Sequence, residues 1–432
     1  MRTVVAIALV IGIASAQAQD ATPEFDLPMD IDITATDDSE KTRASSWRDG
    51  LRFSLAWQGG METNTPHDTT SHRLDARLRW EKLLGAQWFL SFDGKGLLRL
   101  SADQNLDPGE DWGNDWRLRE ALVQLSISQF TLKAGVQPVI WGEMDMFAVN
   151  DIMTPWDYAE FAFTSPEDAR VSQPLLLLEW FSGRNTVSMV FNPHPAATRF
   201  PGGPISDVLA AQVPPPFVLH ESFPETGIDY EAGIRYKRRA AFGDIALYAA
   251  RVRSDFPSLQ GDVDIINRIN VLYPQYDSFG ASANLSAGNF LWKVETAIRP
   301  QSYIPALTAT YRDTGDLAIG FDYSAAGAWN LSVETLLQII GGAPPLGYRR
   351  ENVQTSARWS RSLRHDTINL VYYLGYQWQF GDTTHSLATE LSINDYLKLG
   401  LNVTLFEIRN QNAPTAFIDD WDQAVLTLSW SI

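Results

Sequence analysis

The chain has no cysteine among its 432 residues. Disulfides, thiol catalysis and cysteine-held metals are therefore excluded. Histidine is scarce: His67, His72, His194, His220, His365 and His385 are the only six, in no metal-ligand spacing. No H-E-x-x-H, G-x-S-x-G or P-loop pattern occurs, so no enzyme class and no cofactor is indicated. His67 beside Asp68 is the one local His–Asp pair, and a solvated loop explains it better than a hydrolase site does. Basic residues are the minority, 34 against 52 acidic ones, for a net charge of -18. That balance argues against nucleic acid as a partner, because phosphate binding needs clustered Lys and Arg. Past the first residues no apolar run reaches about 18, so no transmembrane helix is expected in the mature chain.

The N-terminus reads as an export signal. Arg2 is a short positive region, Val4 to Ile13 an apolar one, and Ala14-Ser-Ala16 and Ala16-Gln-Ala18 both fit a cleavage site. Cleavage is expected after Ala18, leaving 1–18 as signal peptide. A single membrane anchor is the alternative, but the apolar run falls short of the ~20 residues a spanning helix needs. Residues 19–47 are polar, with eight acids from Asp20 to Glu40 and no base. They are expected to form a periplasmic segment, or else a plug that enters the lumen.

From about residue 48 onward the apolar residues alternate. Leu74, Ala76, Leu78 and Trp80 fall on one face, and Arg73, Asp75, Arg77, Arg79 and Glu81 on the other. A helix would mix these sets, whereas a strand separates them. The same split recurs at Phe130–Val136, Ile228–Tyr236, Phe290–Ile298 and Leu397–Leu405. Eighteen strands are expected, from 48–61, 72–82 and 87–101 through to 396–407 and 422–432, with sixteen as the next choice. Every second connection is short, such as Ser128-Gln129 and Asn394-Asp395. The others are mostly long, such as 102–114, 139–172 and 193–227. Short turns at one end and long loops at the other, with an even strand number, describe an antiparallel outer-membrane β-barrel over 48–432. A sandwich has no reason to sort its loops so. Trp57, Trp80, Trp88, Trp116, Trp292, Trp329, Trp359 and Trp421 near strand ends fit an interfacial girdle, as they also fit ordinary strand composition. The final strand, with Ala424, Leu426, Leu428, Trp430 and Ile432, is similar to the signal read by the barrel-insertion machinery, although Ile432 replaces the usual Phe. Expected partners are that machinery, outer-membrane lipid and lipopolysaccharide, and a diffusing solute of unknown identity.

Segment 139–172 is too apolar for a free loop and strongly acidic. A long connection with structure of its own is usually functional. It is expected to fold inward as a constriction, with Trp141, Glu143, Asp145, Asp151, Asp157 and Glu160 as its site residues. An external lid is the alternative. The lumen wall is expected to be basic, through Arg73, Arg77, Arg79, Lys95, Arg99, Lys133, Arg235, Lys237, Lys293 and Arg299, with Arg251, Arg253, Arg358 and Lys398 also inward. A basic wall opposite an acidic loop would set a transverse field and ion selectivity. The plainer reading is that these charges pair across strands and keep the lumen wet.

The runs Leu118-Arg-Glu-Ala121, Gly135-Val-Gln137, Trp141-Gly142 and Asp151-Ile-Met-Thr-Pro-Trp-Asp157 form a spaced pattern. It resembles a group of proteobacterial outer-membrane proteins catalogued as a domain of unknown function. That group is similar in turn to the alginate-exporter type of eighteen-stranded porin. The resemblance implies an outer-membrane channel. In the exporter-like group an arginine-rich lumen conducts an acidic polysaccharide, a part the inward Arg and Lys would play here. It also leaves open the passage of hydrophobic compounds. A structural barrel that conducts nothing, or a barrel hydrolase with a site on its loops, are the readings from other classes.

Overall fold

The computed structural model describes residues 50–64, 67–101, 103, 111–157, 169–200, 203–204, 218–221, 230–255, 258–261, 267–304, 310–325, 329–345, 348–409, 419 and 421–432. The expected signal peptide and acidic segment lie outside the described residues. Eighteen strands close one antiparallel sheet. They are β1 Leu51–Glu62, β2 Thr69–Leu84, β3 Trp88–Leu100, β4 Trp112–Ile127, β5 Phe130–Gln137 and β6 Gln173–Ser182. Next come β7 Asn185–Asn192, β8 Glu231–Ala240, β9 Gly243–Arg253, β10 Gln275–Ala287, β11 Phe290–Ile304 and β12 Thr310–Ala325. The wall is completed by β13 Trp329–Ile340, β14 Glu351–Leu363, β15 Ile368–Gln377, β16 Asp382–Ser392, β17 Leu397–Glu407 and β18 Gln423–Ser431. Each pairs with its chain neighbours, and β1 pairs with β18, Leu55 opposite Trp430 and Trp57 opposite Leu428. Closure leaves no sheet edge, which is what lets strands cross lipid with every backbone group bonded.

Polarity is inverted relative to a soluble protein. Leu74, Leu176, Leu247, Ile319, Leu387 and Leu401 are exposed on the outer face. Their sequence neighbours Arg73, Leu175, Ala246, Ala318, Ser386 and Asn402 are buried on the inner one. An apolar outer band around a closed sheet is the surface of a barrel seated in a bilayer. Few residues separate Leu84 from Trp88, Ile127 from Phe130 and Ser182 from Asn185. Gly288, at φ +62°, forms with Asn289 the tight turn between β10 and β11, a conformation that only glycine adopts freely. By the rule for outer-membrane barrels, the end with these short turns is periplasmic.

The long connections hold strands that the alternation did not reveal. Val218–Glu221, Arg268–Leu272 and Ser258–Gly261 form a three-stranded sheet, and Arg199–Phe200 pairs with Gly203–Pro204.

Candidate channel lumen

After Gln137 the chain stops climbing the wall. Pro138 has no N–H to offer a ladder, and the residues from Val139 to Asp157 turn into the barrel. Val139, Trp141 and Met153 pack on Leu175, Leu177, Val190, Ala246, Tyr248 and Val252, the inner faces of β6, β7 and β9. Met144, Met146, Phe147 and Val149 pack on Ala297, Ala318 and Tyr373 of β11, β12 and β15. The wall makes room with glycine. A Cβ on Gly233 would stand 2.9 Å from the Trp141 ring, and one on Gly280 1.8 Å from Asn150 Oδ1.

Two wall carboxylates hold the segment by its backbone. Glu295 on β11 accepts the N–H of Glu143, the N–H of Met144 at 2.7 Å, and both the backbone N–H and the side-chain amide of Asn150 at 3.1 and 2.9 Å. Glu334 on β13 accepts the N–H groups of Asp145 and Met146, each at 2.9 Å. Four consecutive N–H groups thus end on two buried carboxylates, which satisfies donors that a non-repetitive segment would otherwise leave unpaired. Arg299 donates to the Val149 carbonyl at 2.6 Å and pairs with Asp316. At the other end Asp151 accepts from the Trp141 N–H at 3.2 Å and pairs with Arg170, which lies 3.4 Å over the Trp156 ring. Burial pushes the Asp151 carboxyl above the usual range, and Arg170 and the Trp141 N–H only partly offset it.

The segment's acids are engaged, not free. Glu143 bonds Lys237 at 3.0 Å and the Asn284 amide at 2.7 Å. Asp145 pairs with Lys293, and Asp157 lies 3.3 Å from Arg117. Opposite charges on segment and wall thus meet as direct ion pairs, because the segment lies against the wall. Trp141 is buried, in a tilted contact with Tyr248 and 5.6 Å from Arg235. Glu160 lies outside the described residues. Among the described residues no group of three His, Cys, Asp or Glu converges as a metal site.

The inner faces of β2 to β5 carry Arg73, Arg77, Arg79, Lys95, Arg99, Arg117, Arg119 and Lys133 among Asp75, Glu81, Asp93, Asp115 and Glu120. Carboxylates are shared. Asp75 lies 3.3 Å from Arg73 and 3.2 Å from Lys95. Asp115 lies 3.5, 3.1 and 3.4 Å from Arg99, Arg117 and Arg199. Arg77 grips Asp93 through two bonds of 2.8 and 2.5 Å, and Arg79 touches the same carboxylate at 3.2 Å. On the far side, around the segment's tip, Lys237 and Lys293 stand among Glu143, Asp145, Asp244 and Asp322.

Arg117 and Arg119 were missed from the sequence as lumen residues. The β3–β4 register shifts at Asp93/Gly94, where Glu120 opposes Asp93 and Leu118 opposes Gly94. Arg119 is the bulged residue, so it and Glu120 both turn inward. The signal is a change of frame, from outward Trp116 and Leu118 to outward Ala121 and Val123. Arg251 is a second correction. It lies on the outer face with Asp277, 2.8 Å away, both well exposed. The strand looked inverted because Ala246, Tyr248 and Val252, which face inward, are apolar to receive Trp141 and Met153.

A family model described as "Protein of unknown function (DUF1302)" matches residues 101–347. No curated protein gives a significant match. Solved structures do, at very low identity. OccAB1 of Acinetobacter baumannii has a TM-score of 0.54 at 9% identity, over 91% of this chain and 99% of that one. The outer membrane protein OpdK of Pseudomonas aeruginosa has 0.53 at 10% identity, over 89% and 99%. OpdK with vanillate has 0.53 at 8%, over 90% and 100%. What these likenesses share with the chain is the outer-membrane porin fold.

Proposed function

The chain belongs to the DUF1302 family of unknown function, and from the form of its lumen we propose that it is a porin-like channel for a small hydrophilic solute. The observation that carries the reading is the inner surface itself. It is lined with paired charges, hydroxyls and amides, and narrowed on one side by a segment bonded to the wall. A barrel needed only as a scaffold has no use for a wetted charged interior, whose carboxylates and guanidiniums each demand a partner. The charged lining also argues against hydrophobic cargo. Cations outnumber carboxylates along β2 to β5, and rings or tracks of Arg and Lys favour anions. A further support, by likeness of fold only, is that OpdK was solved with vanillate, a carboxylate.

Purified full-length protein in a planar bilayer tests this. Discrete current steps are expected. Under a salt gradient the zero-current potential should carry the sign of chloride over potassium. A cation-selective pore would overturn the anionic preference, and silence from folded protein would overturn the channel.

A further inference from the structure

At the periplasmic corner between β7 and β8 the outer face changes character from one row of residues to the next. Leu178, Met189 and Ile234 stand side by side across β6, β7 and β8, and Trp180, Val187 and Tyr236 form the row below. All but Val187 are large exposed side chains, and Tyr236 donates its hydroxyl to Asn185 Oδ1 at 2.8 Å. The next row, Ser182, Asn185 and Arg238, is polar. Successive rows on one face lie two residues, roughly 7 Å, apart along the strand. An aromatic row followed by a polar one marks the passage from hydrocarbon to headgroups. Three arginines meet there. Arg238 points outward in step with Ile234 and Tyr236, Arg239 follows it, and the Arg239 N–H donates to the Arg184 carbonyl at 2.8 Å. All three are exposed, and among the described residues none pairs with a carboxylate. Acids at this end of the neighbouring strands face the lumen and are held there. Glu179 lies 3.9 Å from Arg235, and Asp244, the register partner of Arg239, lies 3.0 Å from Lys237. In a chain of net charge -18 the corner is thus a local excess of positive charge.

We propose that this corner binds an anionic glycerophospholipid of the periplasmic leaflet, with Arg184, Arg238 and Arg239 around the phosphate and the acyl chains against Trp180, Met189 and Ile234. Guanidinium groups suit the headgroup, because each presents a fork of N–H donors to phosphate oxygens. A zwitterionic lipid carries an ammonium group beside the same phosphate, so it gains less from three cations. A soluble phosphate gains nothing from the apolar rows above. The surface lies outside the lumen and does not depend on the channel reading.

The test is native mass spectrometry of the full-length protein, released from nonionic detergent after incubation with equal amounts of phosphatidylglycerol and phosphatidylcholine of the same acyl chains. Wild-type protein should retain phosphatidylglycerol at least about fivefold over phosphatidylcholine, the factor that one basic residue near an anionic headgroup supplies. Changing Arg184→Gln, Arg238→Gln and Arg239→Gln together should abolish that preference. Arg251→Gln, at the opposite rim, should leave it unchanged. Equal retention of the two lipids by wild-type protein, or a preference that survives the triple change, would overturn the proposal. So would displacement of phosphatidylglycerol by an equal concentration of glycerol phosphate, which would assign the corner to a soluble anion, or of polyglutamate, which would assign it to an acidic protein. Among the described residues the three side chains make no bonds to the wall, and heat-modifiable migration on gels confirms that the variant has folded.

Discussion

Glu334→Ala is the most informative single change, because its carboxylate holds two adjacent backbone N–H groups and little else of the segment. The bonds to Asp145 and Met146 are both 2.9 Å long. Hydrogen bonds to a charged acceptor contribute about 1.5–3 kcal/mol each, so their joint loss should weaken seating by roughly 3–6 kcal/mol. The absence of native cysteine makes the readout clean. Met146 is fully buried against Ala297, Ala318 and Tyr373. A Met146→Cys thiol should therefore react with a water-soluble maleimide only when the segment lifts. In that regime roughly 3–6 kcal/mol corresponds to a labelling rate about 10² to 10⁴ times faster in the Glu334→Ala background, at tenfold per 1.4 kcal/mol. Equal labelling rates in the two backgrounds would refute the claim that Glu334 anchors the segment. Equally fast labelling in both would show that the segment is not seated at all.

Other outcomes follow from the same geometry. Gly280→Val places a Cβ where Asn150 Oδ1 now stands, 1.8 Å away; overpacking of about 1–3 kcal/mol should lower the thermal midpoint and add larger conductance steps to single-channel records. Asp151→Asn removes one carboxylate from the buried Arg170 and should lower the midpoint of urea titrations. The Asp151 carboxyl sits above its ordinary value in the folded state, so its stabilising contribution is complete below the unfolded value of about 3.9 and fades as pH rises through the folded one. The wild-type urea midpoint should accordingly fall as pH rises from about 4, and the asparagine variant should show a shallower slope. Arg77→Gln should shift the zero-current potential toward cations, while Arg251→Gln, on the outer face, should leave it unchanged; a shift from Arg251→Gln would contradict the assignment of faces.

Much of the wall was legible because a strand's two-residue period has no slack. Once Leu74, Leu78 and Trp80 face lipid, Arg73, Arg77 and Arg79 must face the lumen, and they do. The failures have physical causes. At Arg119 a bulge adds a residue, and a strict period cannot represent an insertion. At Arg251 the rule that polar means inward fails, since the inner face of β9 is apolar wherever the segment lies on it. Glu295 and Glu334 were visible as inward acids, yet their role was not. A carboxylate that binds backbone N–H groups from residues 145 or more positions away leaves no local pattern. The nearest sequence signals were the inward glycines at 233 and 280, whose missing side chains leave space for Trp141 and Asn150.

The most direct measurement is single-channel conductance of the full chain beside a variant in which residues 143–157 are replaced by a short Gly-Ser linker. The seated segment should make the wild-type steps the smaller of the two, with both proteins open. No current from folded wild-type protein, or identical conductance in the two, would contradict a channel narrowed by this segment.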